Sequence, residues 1–76
     1  MSEYTRHYQD FMRDLDERYP GQALLNLTET AHYCGVAKPE RFKATVNIPH
    51  ATIGRRVLYK KQDIARELAK RFTCGE

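Results

Sequence analysis

The stretch Ala51-Thr52-Ile53-Gly54-Arg55-Arg56-Val57-Leu58-Tyr59 most constrains what this chain can fold into. Two short runs of strand-like composition flank Gly54-Arg55, and glycine at the first position of a two-residue turn reverses the chain tightly. A chain with such a turn is not a plain helical bundle, because it contains a local antiparallel pair. The turn also carries Arg55 and Arg56 to its tip. They are either a solvated loop end or a contact for a ligand, and the flanking segments bear on that choice.

Before the hairpin the pattern is helical. At 100° per residue Tyr4, Tyr8, Phe11, Met12, Leu15 and Tyr19 share an arc about 100° wide, one core-facing stripe. Arg6–Asp10, Arg13–Glu17 and Asp14–Arg18 are spaced i,i+4 on the wet side, and Pro20-Gly21 ends the helix. The stripe has two uses open to it: packing within the chain, or a seam for self-association. A second short helix follows, with Thr28 as expected N-cap, Glu29 at its first position and Ala31 inside. Gly35 stops it in the left-handed conformation, with Val36 as a hydrophobic clasp. Pro39 then suits the first position of a third helix whose buried side is Phe42 and Val46. Two short helices joined around Gly35 make a helix-turn-helix pattern.

After the hairpin the chain is helical again. Ile64, Leu68 and Phe72, with Ala65 and Ala69 beside them, form one apolar face that closes the core, while Arg66, Glu67, Lys70 and Arg71 face water. The expected class is mainly α with a small β-hairpin, divided into an amphipathic helix over residues 1–22 and a compact unit over 23–76. That unit is expected to fold without residues 1–20.

Charge is unevenly distributed. The chain has 76 residues and a net charge of +3. Residues 1–22 hold three Arg against five Asp plus Glu, whereas residues 23–76 hold ten Lys plus Arg against five. The positive excess lies in the part that contains the hairpin, and a basic module of this size meets a polyanion, most commonly nucleic acid.

At this point the residues resemble a known family. Leu27-Thr28, Ala31, Gly35-Val36, Pro49, Ile53-Gly54-Arg55-Arg56, Tyr59 and Asp63-Ile64 resemble the excisionase-type winged helix-turn-helix, a small relative of the MerR DNA-binding domain, over residues 25–72. The resemblance implies a sequence-specific double-stranded DNA-binding protein of phage or mobile-element type, directing excision or regulating transcription, with an integrase as a possible partner. It implies that the third helix enters the major groove and that Arg55 and Arg56 form a wing against phosphates or the minor groove. Two departures stand out: the spacing from Val36 to Pro49 is shorter than in the family, and Ala37 replaces the usual capping serine. The register of the recognition helix is therefore open. With Phe42 and Val46 inward, Arg41, Ala44 and Thr45 face outward. Arg41 is the candidate for guanine readout, because its fork can donate two hydrogen bonds to one base edge. Lys38 and Lys43 flank it as phosphate contacts or solvated charges, and Lys60 extends the basic set behind the wing.

Other chemistries find little support. The length suits one modest core and no deep catalytic pocket. No glycine-rich phosphate loop, no small-molecule site and no cofactor is expected. Tyr59 is expected to pack in the core or hairpin. His32 and Cys34 lack the further ligands at zinc spacing, so no metal is expected; Cys34 reads as a small buried hydrophobe and Cys74 as part of a frayed tail. No apolar run reaches membrane-spanning length and no signal-peptide centre is present, so cytoplasmic residence is expected, on the nucleoid when bound to DNA. A single module reads few base pairs, so a homodimer or cooperative oligomer is expected on DNA. The alternative is a protein-interaction module, an antirepressor or adaptor acting through the first helix.

Overall fold

The computed structural model describes residues Ser2–Thr73; Cys74 lies outside them. Helix accounts for 60% of the structure, so the mainly helical class expected from periodicity holds. Among the described residues seven elements follow one another: α1 (Glu3–Arg18), β1 (Leu24–Asn26), α2 (Leu27–Tyr33), α3 (Pro39–Thr45), β2 (Ala51–Ile53), β3 (Arg56–Lys60) and α4 (Lys61–Thr73).

The β-structure is larger than a hairpin. β1 joins it as a third strand, in the order β1-β3-β2, both pairs antiparallel, with Leu25 opposite Tyr59 and Thr52 opposite Val57. Leu24-Leu25-Asn26 is too short to read as a strand on its own, and it exists only through its register with β3. The hairpin turn itself is as expected. Gly54 has φ +64° and among the described residues no non-glycine residue has positive φ, the sign pattern of a turn with glycine at its first position.

Local chemistry sets each helix boundary. α2 begins one residue before Thr28, and its cap is Asn26. The Asn26 Oδ1 accepts from the Glu29 amide at 2.7 Å and Glu29 Oε1 accepts from the Asn26 amide at 3.1 Å, a reciprocal capping box. Thr28 thus loses its expected role, because Asn26 lies at the right distance from Glu29 and is still extended. At the far end Val36 N–H donates to the Ala31 carbonyl at 2.9 Å and Gly35 N–H to the His32 carbonyl at 3.1 Å. With Gly35 at φ +82°, this is a Schellman termination. Pro39 opens α3 as expected, behind Lys38, whose side chain makes no cap bond.

One core joins every element except β2, whose three residues are exposed. Leu15 of α1, Leu25 of β1, Ala31 of α2, Phe42 of α3, Ile48, Tyr59 of β3 and Ile64 and Ala65 of α4 are buried together. Leu15 is fully buried, and Tyr8, Phe11, Met12 and Tyr19 pack half-buried against the same cluster. Most of the α1 stripe is therefore used inside the chain, and Tyr4 stacks on Tyr8 with ring centroids 6.5 Å apart. Polar bonds fix the same docking. Lys61, 5% exposed, donates to Asp16 Oδ1 at 3.1 Å and to the Tyr19 carbonyl at 2.7 Å. The Tyr33 hydroxyl donates to Asp14 Oδ2 at 2.6 Å, and burial with that bond raises its pKa. Phe72, expected on the buried face of α4, is instead 58% exposed, lying 5.5 Å from Phe11 and 6.0 Å from His7 between ring centroids. Among the described residues no helix is long and apolar enough to cross a membrane.

Candidate nucleic-acid interface

α3 is anchored from one side only. Phe42 is fully buried and meets Tyr59 edge-on, with ring centroids 6.0 Å apart and planes at 81°. Val46 packs half-buried on the same core. Everything else on the helix beyond its first turn is free to face water: Arg41, Lys43, Ala44 and Thr45 are exposed, as is Lys38 before it. The outward set therefore stands where periodicity put it. Tyr59 also fixes β3, so one buried aromatic positions both α3 and the hairpin strand. Burial raises the pKa of its phenol.

The hairpin projects from that anchor. All three residues of β2, and Gly54, Arg55 and Arg56, are exposed. Arg55 and Arg56 line a surface groove with Asn26, Leu27, Thr28 and Val57. The start of α2 thus joins the hairpin tip, a neighbour that linear spacing does not reveal. Lys60 lies elsewhere. It ends β3 opposite Leu24 and borders a second groove with Pro49, His50, Ala51, Leu58 and Asp63. The candidate residues form three exposed basic places around one anchor: α3, the hairpin tip and the end of β3.

Ion pairing separates these places from the rest of the surface. On α1 and α4, Arg13 pairs with Asp10, Arg18 with Asp14, Lys61 with Asp16, Arg66 with Asp63 and Arg71 with Glu67. Arg13 takes Asp10 at 2.8 Å and not the expected Glu17, and Arg6 of α1 and Lys70 of α4 have no carboxylate within 4.0 Å among the described residues. By contrast Lys38, Arg41, Lys43, Arg55, Arg56 and Lys60 all lack a carboxylate partner among the described residues. Over residues 37–60 these six cations face Glu40 alone. Cations without an internal partner can take phosphate oxygens without first giving up a salt bridge, so this surface is chemically ready for a polyanion.

Cys34 ends α2 half-buried, and burial pushes its thiol pKa up to about 11. Such a thiol is a weak nucleophile at neutral pH. Among the described residues no group of three His, Cys, Asp or Glu side chains is placed to hold a metal ion. No family model, curated protein or solved structure matches this chain.

Proposed function

We propose that this chain is a sequence-specific double-stranded DNA-binding protein of phage or mobile-element type, acting as an excisionase or a transcriptional regulator. In this reading α2, the Gly35 turn and α3 are a helix-turn-helix, β2 and β3 are its wing, and α1 is an added helix that closes the core. One observation carries it: among the described residues the six cations of α3, its N-cap Lys38 and the hairpin are exposed and unpaired, while five of the seven Lys and Arg on α1 and α4 are paired. Solubility alone would not divide the cations this way. The test is a DNA titration at 50 and 200 mM salt, followed by selection of bound sites from random duplexes. Binding with a steep salt dependence and a recovered consensus supports the reading, whereas salt-independent or absent binding removes it.

α3 supplies the base contact in this reading. Arg41→Ala is expected to cost about 1–3 kcal/mol on the selected site and to relax preference at one base pair. Binding measured on the site and on its single-base variants checks this. An equal loss on every duplex would make Arg41 a phosphate contact.

Assembly follows from the same reading, because one module specifies too few base pairs to find a site in a genome. With Leu15 inside the core, the surface left for a second copy is Tyr4 together with exposed Phe72 and its neighbour Phe11. The same edge is what an adaptor would use. Tyr4→Ala combined with Phe72→Ser is expected to reduce cooperativity on paired sites while leaving single-site affinity within about twofold. Unchanged cooperativity in the folded variant would rule this edge out as the contact.

A further inference from the structure

β2 inverts the alternation expected of a sheet with one wet face, where apolar residues point inward and polar ones outward. Its register with β3 puts Thr52 beside Val57, on the face that carries buried Tyr59. Ala51 and Ile53 fall on the opposite face, where Ile53 stands directly across from Arg56. Ile53 is 61% exposed, more than Phe72 or Leu24, the other large exposed apolar side chains. Phe72 has Phe11 and His7 as aromatic neighbours, whereas Ile53 is not among the side chains packed on the core. The hairpin thus ends in an unsupported aliphatic group, with Gly54 and Arg55 next in the chain and Arg56 across the ladder.

We infer that Ile53 is a wedge: on bound DNA it enters the minor groove, partly unstacks one base step and bends the duplex, while Arg55 and Arg56 hold the flanking backbone. The inference rests on the DNA-binding reading above and adds an uncharged contact to it. Dimensions favour the tip over the body of the sheet. The minor groove is about 6 Å wide, too narrow for a paired ribbon whose strand axes alone lie about 4.8 Å apart, so only side chains projecting from the tip can reach its floor. Aliphatic wedges between base steps, framed by arginines, are a recurrent way to trade stacking energy for a bent duplex. Exposure in the free protein then has a reason: a wedge must be presented before DNA arrives.

The experiment uses the full chain and a duplex selected from random DNA by the unaltered protein, labelled at both ends for energy transfer. Ile53→Ser is expected to lower affinity about tenfold, the apolar burial of one aliphatic side chain converted to a binding ratio. It should also straighten the duplex and leave the salt slope unchanged, because no charge is removed. Ile53→Leu, which keeps the wedge, should keep both affinity and bend. Since Ile53 supports no part of the core, thermal melts of the variants should match the parent. A Ser variant that binds and bends DNA as the parent does overturns the inference while leaving the DNA-binding reading intact. If the unaltered protein binds no duplex, that reading fails first and the inference with it.

Discussion

Deleting residues 1–20 is expected to leave a chain that does not fold. Leu15 is fully buried in the cluster that contains Phe42, Tyr59 and Ile64, so α1 supplies part of the only core in the described residues. Removing one buried leucine side chain costs about 2–5 kcal/mol. A domain of this length holds about 4–11 kcal/mol in total. The truncation would remove Leu15 and also uncover α4, where Ala65 and Ala69 are fully buried and Leu68 half-buried. Lys61 would lose both Asp16 and the Tyr19 carbonyl, and Tyr33 would lose Asp14. The remaining 56 residues would fall in the size range where a single core is marginal even when complete. Circular dichroism and thermal melting of residues 21–76 check this, with Leu15→Ala in the full chain as a graded control that should melt cooperatively at lower temperature. A cooperative melt of the truncated chain near that of the parent would restore the division at residue 22 and free the stripe for a second copy.

That expectation reverses the one drawn from sequence, and the reversal shows what a linear reading can carry. Gly54-Arg55, Gly35-Val36 and Pro39 were legible because their chemistry is local: each sets the backbone of its immediate neighbours. The Asn26–Glu29 spacing is equally local, so the capping box is available in the sequence, and the expected cap at Thr28 misses it by two residues. β1 was not available, since three residues become a strand only when β3 lies beside them. Nor could the sequence say which of Lys60 and Lys61 turns inward. The strand ends at Lys60 and the helix starts at Lys61, and that junction swings one ammonium to Asp16 and leaves the other in water. The shortage of carboxylates near the basic set is legible, since residues 37–60 hold Glu40 alone, but pairing between distant or competing partners is not. Arg13 had Asp10 and Glu17 within reach by spacing, and only the folded geometry selects between them.

Replacing both Arg55 and Arg56 by alanine is expected to weaken binding to the selected site and to unrelated duplexes alike. Both residues are exposed, neither has a carboxylate partner among the described residues, and the turn that carries them is held by Gly54 and not by their side chains. The substitution therefore removes two positive charges without removing a fold contact, and the melting temperature should not change. Each lost phosphate contact reduces the slope of log affinity against log salt by about 0.9, so the double variant should be shallower by about 1.8. At low salt the loss should reach about a hundredfold, and it should shrink as salt rises, because the wild-type advantage comes from released counterions. This pattern differs from that expected for Arg41→Ala, which should change which duplex is preferred, and from Ile53→Ser, which should change affinity at constant slope. A double lysine variant sharpens the assignment. Lysine keeps the charge and loses the planar fork, so a recovered slope with recovered affinity places both residues on phosphates. A recovered slope with affinity still reduced places a guanidinium in the narrow groove, where its flat shape is the property being used. An unchanged slope in the folded double alanine variant would take the hairpin out of the interface and leave α3 as the sole contact.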